Sequence, residues 1–558
     1  MKTPAVTITE NLELEQGYFL PGEKVYFIPG EVSANGGLEG ADRTSRELAS
    51  WASPISSPDQ LVNTNKEILD ARGRDMTVND GYVIGALATH KDSIVGSQFN
   101  LNARPHYKLL GLDEKWADEF QEEVEAKFMI WAESINCWPD AQRINTLTGL
   151  VRLAVGTHFM CGEVLASAEW IRMSDRFYNT AIQMVETDRL CNPDDMGDTA
   201  TLRRGIERNQ YGQPMAYHIR NGYRADPYMN NDALTWTRVE ARKPWGRQQI
   251  IHIHEQIRPD QSRGISEMVS VLKQMKMTQK FQDISLQQAV LNATYAATIE
   301  SELPPEAAYA QLGQGGTTTW AKQFLSQVAA YSGNSRNLSI DGVKIPHLYP
   351  GTKFKLLNAG APNGVGENFE QSLLRHTAAG LGLSYEEFSR DYTKTNYSSA
   401  RAANVNTDKY MRARKKVVAD KTATSVYALW LEEAISKGEI TTVTKSMPNY
   451  WERLNKEAYI RCNWIGSARG QIDELKETQA SVLRIQQGLS TFEKELGRTG
   501  EDFREIFAQQ AREAKLREKL GITIAVGAPM IAGQGAHAGQ AQDSGAGKKA
   551  VDDSGDDA

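Results

Sequence analysis

His252-Ile253-His254-Glu255 is the stretch of this chain best suited to hold a metal ion. In an extended strand alternate side chains share a face, so both imidazoles would project together while Ile251 and Ile253 project from the other side. Two imidazoles can ligate zinc, but a third ligand is needed and the sequence identifies none, so no metal and no cofactor is assigned. The alternative reading is a strand with a polar outer face. Asp194-Asp195-Met196-Gly197-Asp198 is acidic but lacks the spacing and terminal glutamate of a calcium-binding loop, and reads as a solvated turn. Gly547-Lys548-Lys549 approaches a phosphate-binding loop, yet Gln542 stands where glycine is required and Lys549 where serine or threonine is required. Gln311-Leu312-Gly313-Gln314-Gly315-Gly316 is glycine-rich but follows no clear strand, and reads as a flexible loop. No GxSxG elbow and no HExxH pair occurs. The residue types therefore define no catalytic constellation, and the chain is expected not to be an enzyme.

Charge is more informative. Between Arg401 and Lys421 seven basic residues (Arg401, Lys409, Arg412, Arg414, Lys415, Lys416, Lys421) meet two acids, just after the polar stretch Ser389–Ser399 with its two tyrosines and Lys394. On a helix Arg412 and Lys416 share a face, as do Lys409 and Lys416. One reading is a basic face that pairs with acids of a neighbouring subunit; the other is a surface that faces phosphates.

The elements that position these residues are long. From Ile265 to Leu303 there are thirty-nine residues without glycine or proline, between Gly264 and Pro304-Pro305. If helical throughout, the run would be about 58 Å long. A second such run extends from Leu383 to Lys437. Residues 1–60 read as an irregular arm, 61–94 as helical, and Leu112–Trp131 as an amphipathic helix with Trp116, Phe120, Val124 and Phe128 on one stripe. Short alternating runs between turn residues make 167–257 β-rich. Residues 304–362 are short-grained, a short helix is expected at 367–379, and further helices at 471–487 and 501–520. The Gly/Ala/Asp-rich end is expected to be disordered.

At 558 residues the chain can hold two to four domains. Its four cysteines form no CxxC pair, which fits a reducing compartment; no secretory signal or apolar stretch of membrane-spanning length is present, so a soluble intracellular product without membrane partners is expected. A net charge of −7 argues against tight, extensive phosphate neutralisation.

Four groups of segments resemble the portal proteins of lambda-type tailed bacteriophages. They are Gln261–Ser266 with Gln274–Met277 and Tyr295–Glu302; Phe369–Arg375 through Ala379–Glu386; Cys462–Ser467 with Ile472–Glu477; and Gly488–Glu495 with Glu505–Gln510. The resemblance implies an α+β portal fold assembled as a ring, of the twelve subunits typical of the family. It implies an arm over 1–60, a mixed α/β wing over 61–263, a stem helix over 264–303, a small α/β clip over 304–362 and a returning stem helix over 363–382. A tunnel loop over 383–398, a long helix and second wing part over 399–469, a helical crown over 470–521 and a disordered acidic tail over 522–558 complete it. The implied function is a channel for packaging and ejection of double-stranded DNA at one vertex of the virion, assembled in the host cytoplasm. The implied partners are the terminase large subunit, docking at residues within 304–362 that the sequence does not single out, then head-completion and connector proteins, with the major capsid and scaffold proteins and non-specific DNA. By position in the loop, Arg390, Lys394 and Arg401 are the expected channel-facing cations. The rival readings are a packaging ATPase or nuclease, which the missing phosphate loop disfavours, and another assembly component such as a scaffold or tail protein.

Overall fold

Four three-residue strands open the chain, β1 (Ala5–Thr7), β2 (Leu12–Leu14), β3 (Gly17–Phe19) and β4 (Lys24–Tyr26). β1 pairs with β4 and β2 with β3, so the arm expected to be irregular contains two small ladders. The computed structural model describes these strands, residues 50, 55–224, 232–295, 365–393, 395–468 and 473–522, and the strands at 337–340 and 343–346.

Helix ends follow side-chain caps. Ser57 accepts from the Gln60 amide to start α1 (Pro58–Asn79), with Pro58 in the first turn where its missing N–H costs nothing. Asp80 stops α1 and caps α2 (Gly81–Ile94) by accepting from Val83 N at 3.0 Å. After β5 (Asn100–Ala103) and the one-turn α3 (Tyr107–Leu110), Asp113 caps α4 (Glu114–Ala132). The expected stripe of α4 is its buried face: Trp116, Phe120, Val124 and Phe128 are all in the core. The next elements are α5 (Leu147–Cys161), β6 (Glu163–Trp170), β7 (Thr180–Val185), β8 (Leu202–Arg203), β9 (Ile206–Arg208), β10 (Pro214–Arg220), β11 (Trp236–Glu240) and β12 (Ile250–His254). They form two antiparallel sheets, ordered β12-β6-β7 and β11-β10-β9-β8. Leu165, Tyr217 and Ile250 belong to a small core shared by strands of both sheets.

The first breaker-free run is not one helix. Residues 267–270 form a 3₁₀ turn, and α6 (Leu272–Tyr295) begins only after it; 296–303 lie outside the described residues. The reason is local: Ser266 accepts from Met268 N and donates to Phe159 O, which fixes a tight turn against α5 before the helix can start. β13 (Asn337–Ile340) and β14 (Val343–Pro346) form a hairpin, and α7 (Val365–Gly380) packs against α6, with Phe281 and Phe369 rings 5.7 Å apart. The glycine-rich 311–316 stretch, the run at 353–357 and the terminal 547–549 motif lie outside the described residues.

The second run is also divided. It contains α8 (Tyr385–Ser389), α9 (Tyr397–Arg414), a π-turn at 415–419 and α10 (Asp420–Lys437), closed by Gly438 at φ 73°. A short α11 (Asn455–Tyr459) precedes β15 (Cys462–Ile465), which returns to pair with β5. Segments far apart in sequence therefore share one core: Phe128 of α4 meets Tyr427 and Trp430 of α10 at ring distances of 5.4 and 5.1 Å. A second unit, from Ala468 onward, holds α12 (Glu474–Gln486), α13 (Phe492–Arg498) and α14 (Phe503–Leu520). No described helix is long and apolar enough to cross a membrane.

Candidate functional site

Two features stand out in the first unit: the segment between α7 and α9, and a buried ionic centre at the root of α6.

Ser384 and Glu387 form a reciprocal capping box at the start of α8, and the same Glu387 carboxylate accepts from Thr407 of α9 at 2.6 Å. Phe388 is buried and stacks on Tyr82 of α2 at 5.6 Å. The stretch expected as an open polar loop is thus partly a helix pinned from both sides. Arg390 ends α8 in the left-handed region, φ 58°; it is exposed, and its guanidinium donates to Thr89 Oγ1 at 2.9 Å. Arg390, Tyr82, Gln279, Asp283 and Phe388 line an open cavity of about 720 Å³. Asp391 accepts from Thr393 N and Oγ1, Asn396 caps α9 through Ser399 N, and Arg401 lies exposed on the first turns of α9. Lys394 lies outside the described residues.

The basic run divides into inward and outward members. Arg414 reaches Glu255 and, at 2.5 Å, Glu267; Lys415 pairs with Asp420 at 2.8 Å and donates to Trp464 O. Arg412 pairs with Asp408 and Lys416 with Asp420. The π-turn at 415–419 adds a residue to the helical repeat between Arg412 and Asp420, which shifts the ideal four-residue spacing there. Arg401, Lys409 and Lys421 remain exposed.

The ionic centre was invisible in the sequence. Glu163 at the start of β6 is 0% exposed and Arg263 is 1% exposed. Arg263 Nε and Nη2 donate to Glu163 at 3.0 and 2.5 Å, and its other N–H groups reach the carbonyls of Thr187, Leu190 and Arg204. Glu163 also accepts from Gly264 N at 3.0 Å and lies 3.3 Å from Lys66 and 3.2 Å from His252. Burial alone would raise this carboxyl, but Arg263 and Lys66 outweigh it and hold it well below the usual carboxylate range. Lys66 also pairs with Asp70 at 2.9 Å, yet burial still lifts the Asp70 carboxyl to about 6.

This centre disposes of the histidine pair. His252 and His254 do share a face, with rings 4.7 Å apart, but the face points inward; the His252 side chain is 2% exposed and its Nε2 meets Glu163. The polar outer face is therefore corrected to a polar inner one, matched by Ile251 and Ile253, which are buried on the opposite side. Among the described residues no three potential ligands converge on a metal position. The acidic turn is likewise no free loop: Asp198 accepts from Asn63, Asn192 and the Arg204 amide, while Asp195 pairs with Arg220 and Arg224.

Buried titratable groups give the unit a defined pH response. Burial pushes His90 and His254 down to about 4 and His158 to about 3, so each is neutral in the fold. As pH falls below about 6.5 the unfolded chain gains protons that these three refuse, which costs stability. Asp70, raised to about 6, and Glu267, raised by burial to about 7, work the other way: the folded chain takes up their protons first. The two sets oppose between pH 7 and 4.5. Below 4.5 unfolded carboxylates protonate while Glu163 stays ionised, and stability is lost. Three histidines outweigh two carboxyls, so the unfolding midpoint is expected to fall gently from about pH 6.5 and steeply below 4.5; a midpoint that holds level or rises from pH 6.5 to 5 in a pH series of denaturation curves would contradict this balance.

Residues 44–415 match the family described as phage portal protein, lambda family. The chain is 38% identical over 479 residues to the portal protein of Escherichia phage N15, covering 85% of this chain and 89% of that one. It is also 38% identical over 483 residues to portal protein B of Escherichia phage lambda, with the same coverage. A similar solved structure is the neck of an empty gene transfer agent particle computed with C6 symmetry, 11% identical, covering 82% of this chain and 98% of that one at a TM-score of 0.38. With both the family match and this level of identity spanning most of its length, the chain belongs to the lambda family of phage portal proteins.

Proposed function

We propose that twelve copies of this chain close into a ring at one capsid vertex, through which double-stranded DNA is packaged and later ejected. The 38% identity to phage portal proteins along 85% of the chain carries this reading. In it, residues 61–263 and 399–469 make the wing, α6 and α7 the stem, 304–362 the clip that receives the terminase motor and then the connector proteins, 383–398 the tunnel loop and 470–521 the crown. Capsid and scaffold proteins surround the ring as it assembles in the host cytoplasm. The chain's net charge of −7 suits a conduit, because a wall that neutralised many phosphates would release many counterions on binding and brake sliding DNA. Arg390, Lys394 and Arg401 are the proposed cations on the channel side.

Twelve copies of the 62.0 kDa chain make about 0.74 MDa. Native mass measurement with class averaging is expected to give a ring near that mass with a hole wide enough for a duplex. A mass that stays monomeric at every concentration, scaffold protein included, overturns the reading, as does ATP turnover by the purified chain. For the loop, Lys394→Glu and Arg401→Glu are expected to spare ring assembly and to lower packaged DNA at least about tenfold together. Normal DNA yield in the double variant removes both residues from the channel.

A further inference from the structure

The C-terminal unit buries no apolar side chain among its described residues; the buried ones are two acids, Glu495 and Asp502. Arg484 and Arg498 converge on Glu495, at 2.8 and 3.0 Å, and Ser481 donates to it, so an ion cluster rather than packing ties α12 to α13. Phe492 and Phe507 stack at 5.6 Å and are still 52% and 43% exposed. Leu516 and Leu520, one turn apart on α14, are 55% and 60% exposed. Helices of 13, 7 and 18 residues are marginal in water unless an apolar face is buried. The end of α14 fixes the direction in which the chain leaves it. Gly521 stands in the left-handed region at φ 65°, its amide donates to Glu518 O at 3.2 Å, and Ile522 N donates to Arg517 O at 3.0 Å. This pair of bonds is the glycine stop that turns a chain out of its helix. It holds the backbone of Ile522, whose side chain is exposed, beside the last turn of α14 rather than beyond it.

We propose that residues 522–531 fold back along α14 as an apolar strap that covers the exposed face of this unit within the same chain. Residues 523–531 lie outside the described residues; the turn at Gly521, their sequence and their length carry the proposal. Ile-Thr-Ile-Ala-Val-Gly-Ala-Pro-Met-Ile is uncharged and holds five large apolar side chains, unlike a segment that stays in water. Ile522, Ile524 and Val526 alternate with Thr523 and Ala525, so an extended strap presents all three to one side. The 18 residues of α14 rise about 27 Å and ten extended residues reach about 33 Å, so the strap can retrace the whole helix from Leu520 to Phe503. The apolar run stops at that reach: beyond Ile531 the chain offers only alanines and Val551 as apolar groups. Because the strap is tethered at Gly521, next to Leu516 and Leu520, it meets them at a high effective concentration that a separate molecule lacks. The strap belongs to the single chain and is independent of the ring reading.

The test is thiol alkylation and hydrogen exchange on the full chain, kept dissociated and measured at several concentrations. Ile524→Cys is expected to be alkylated at least ~10-fold more slowly than Ala538→Cys, and amides of α14 are expected to be equally protected at every concentration. Ile524→Asp combined with Val526→Asp is expected to speed exchange of the α14 amides at least ~10-fold, while Val551→Asp leaves them as they are. Unchanged amides of α4 and α10 in both variants show that the first unit is intact. Equal alkylation of the two cysteines overturns the inference, as does α14 exchange that ignores the double variant or is free in the unaltered chain. Protection that grows with concentration assigns the cover to a second copy, and protection that needs added scaffold protein assigns it to that partner; either result overturns the strap and leaves the ring reading standing.

Discussion

Glu163→Gln is expected to cost about 3–5 kcal/mol, the range for breaking a buried ion pair by removing one partner. The substitution keeps the shape of the side chain and leaves an oxygen able to accept from Gly264 N, so the loss isolates the charge. Without it Arg263 and Lys66 remain inside with only carbonyls and Asp70 to face, and Lys66 keeps one carboxylate where two stood within 3.3 Å. The cost lies in the stranded cations rather than in any net worth of the pair, since buried pairs often break even against apolar replacements. That distinction can be measured. Glu163→Gln with Arg263→Met is expected to recover part of the loss, giving a coupling of about 1–3 kcal/mol in a double-mutant cycle. Denaturant titration of dissociated chain supplies the numbers. A single-variant loss under about 1 kcal/mol would mean that water reaches the centre and relieves the cations.

The two ends of this centre explain what could and could not be read from the sequence. The α4 stripe was legible because its partners need only be apolar: Trp116, Phe120, Val124 and Phe128 repeat at helical spacing whatever they pack against. The alternating runs around Ile182, Ala216 and Ile250 announced strands for the same reason. Glu163 and Arg263 lie one hundred residues apart, and nothing local marks a lone glutamate as buried. The histidine pair misled for a related reason. Period two fixes which side chains share a face, not whether that face meets solvent. Breaker-free runs overstated the struts, because Ser266, Ser384 and Asn396 start and stop helices by hydrogen bonding, without glycine or proline. The candidate loop was legible as charge and polarity alone; that Glu387 and Phe388 pin its first half to α9 and α2 depends on contacts no spacing predicts.

The backbone crossing beside Glu163 sets the second large effect. Gly264→Ala is expected to prevent folding of the first unit or to cost more than about 4 kcal/mol, at the extreme of single substitutions. A Cβ at residue 264 would stand 2.0 Å from the Gly162 carbonyl oxygen, and one at 162 would stand 2.1 Å from the Ile265 carbonyl carbon. Both obstacles are main chain, which cannot rotate away as a side chain would. Gly162 also sits at φ +77°, closing α5 with its amide donating to His158 O at 2.7 Å, so Gly162→Ala adds left-handed strain to the clash. Separating the two backbone segments by the required distance would pull Gly264 N off Glu163 and move the Ser266 turn from which α6 departs, so the damage reaches the root of α6 as well as the local contact. Gly85→Ala provides the contrast. That glycine lies inside α2 with no atom within 4 Å of the added methyl, and the change is expected to stabilise by about 0.5–1 kcal/mol through helix propensity. Soluble expression and denaturation of the three variants check the pair of claims; a Gly264→Ala chain with a native midpoint would show that the crossing has room the backbone geometry denies.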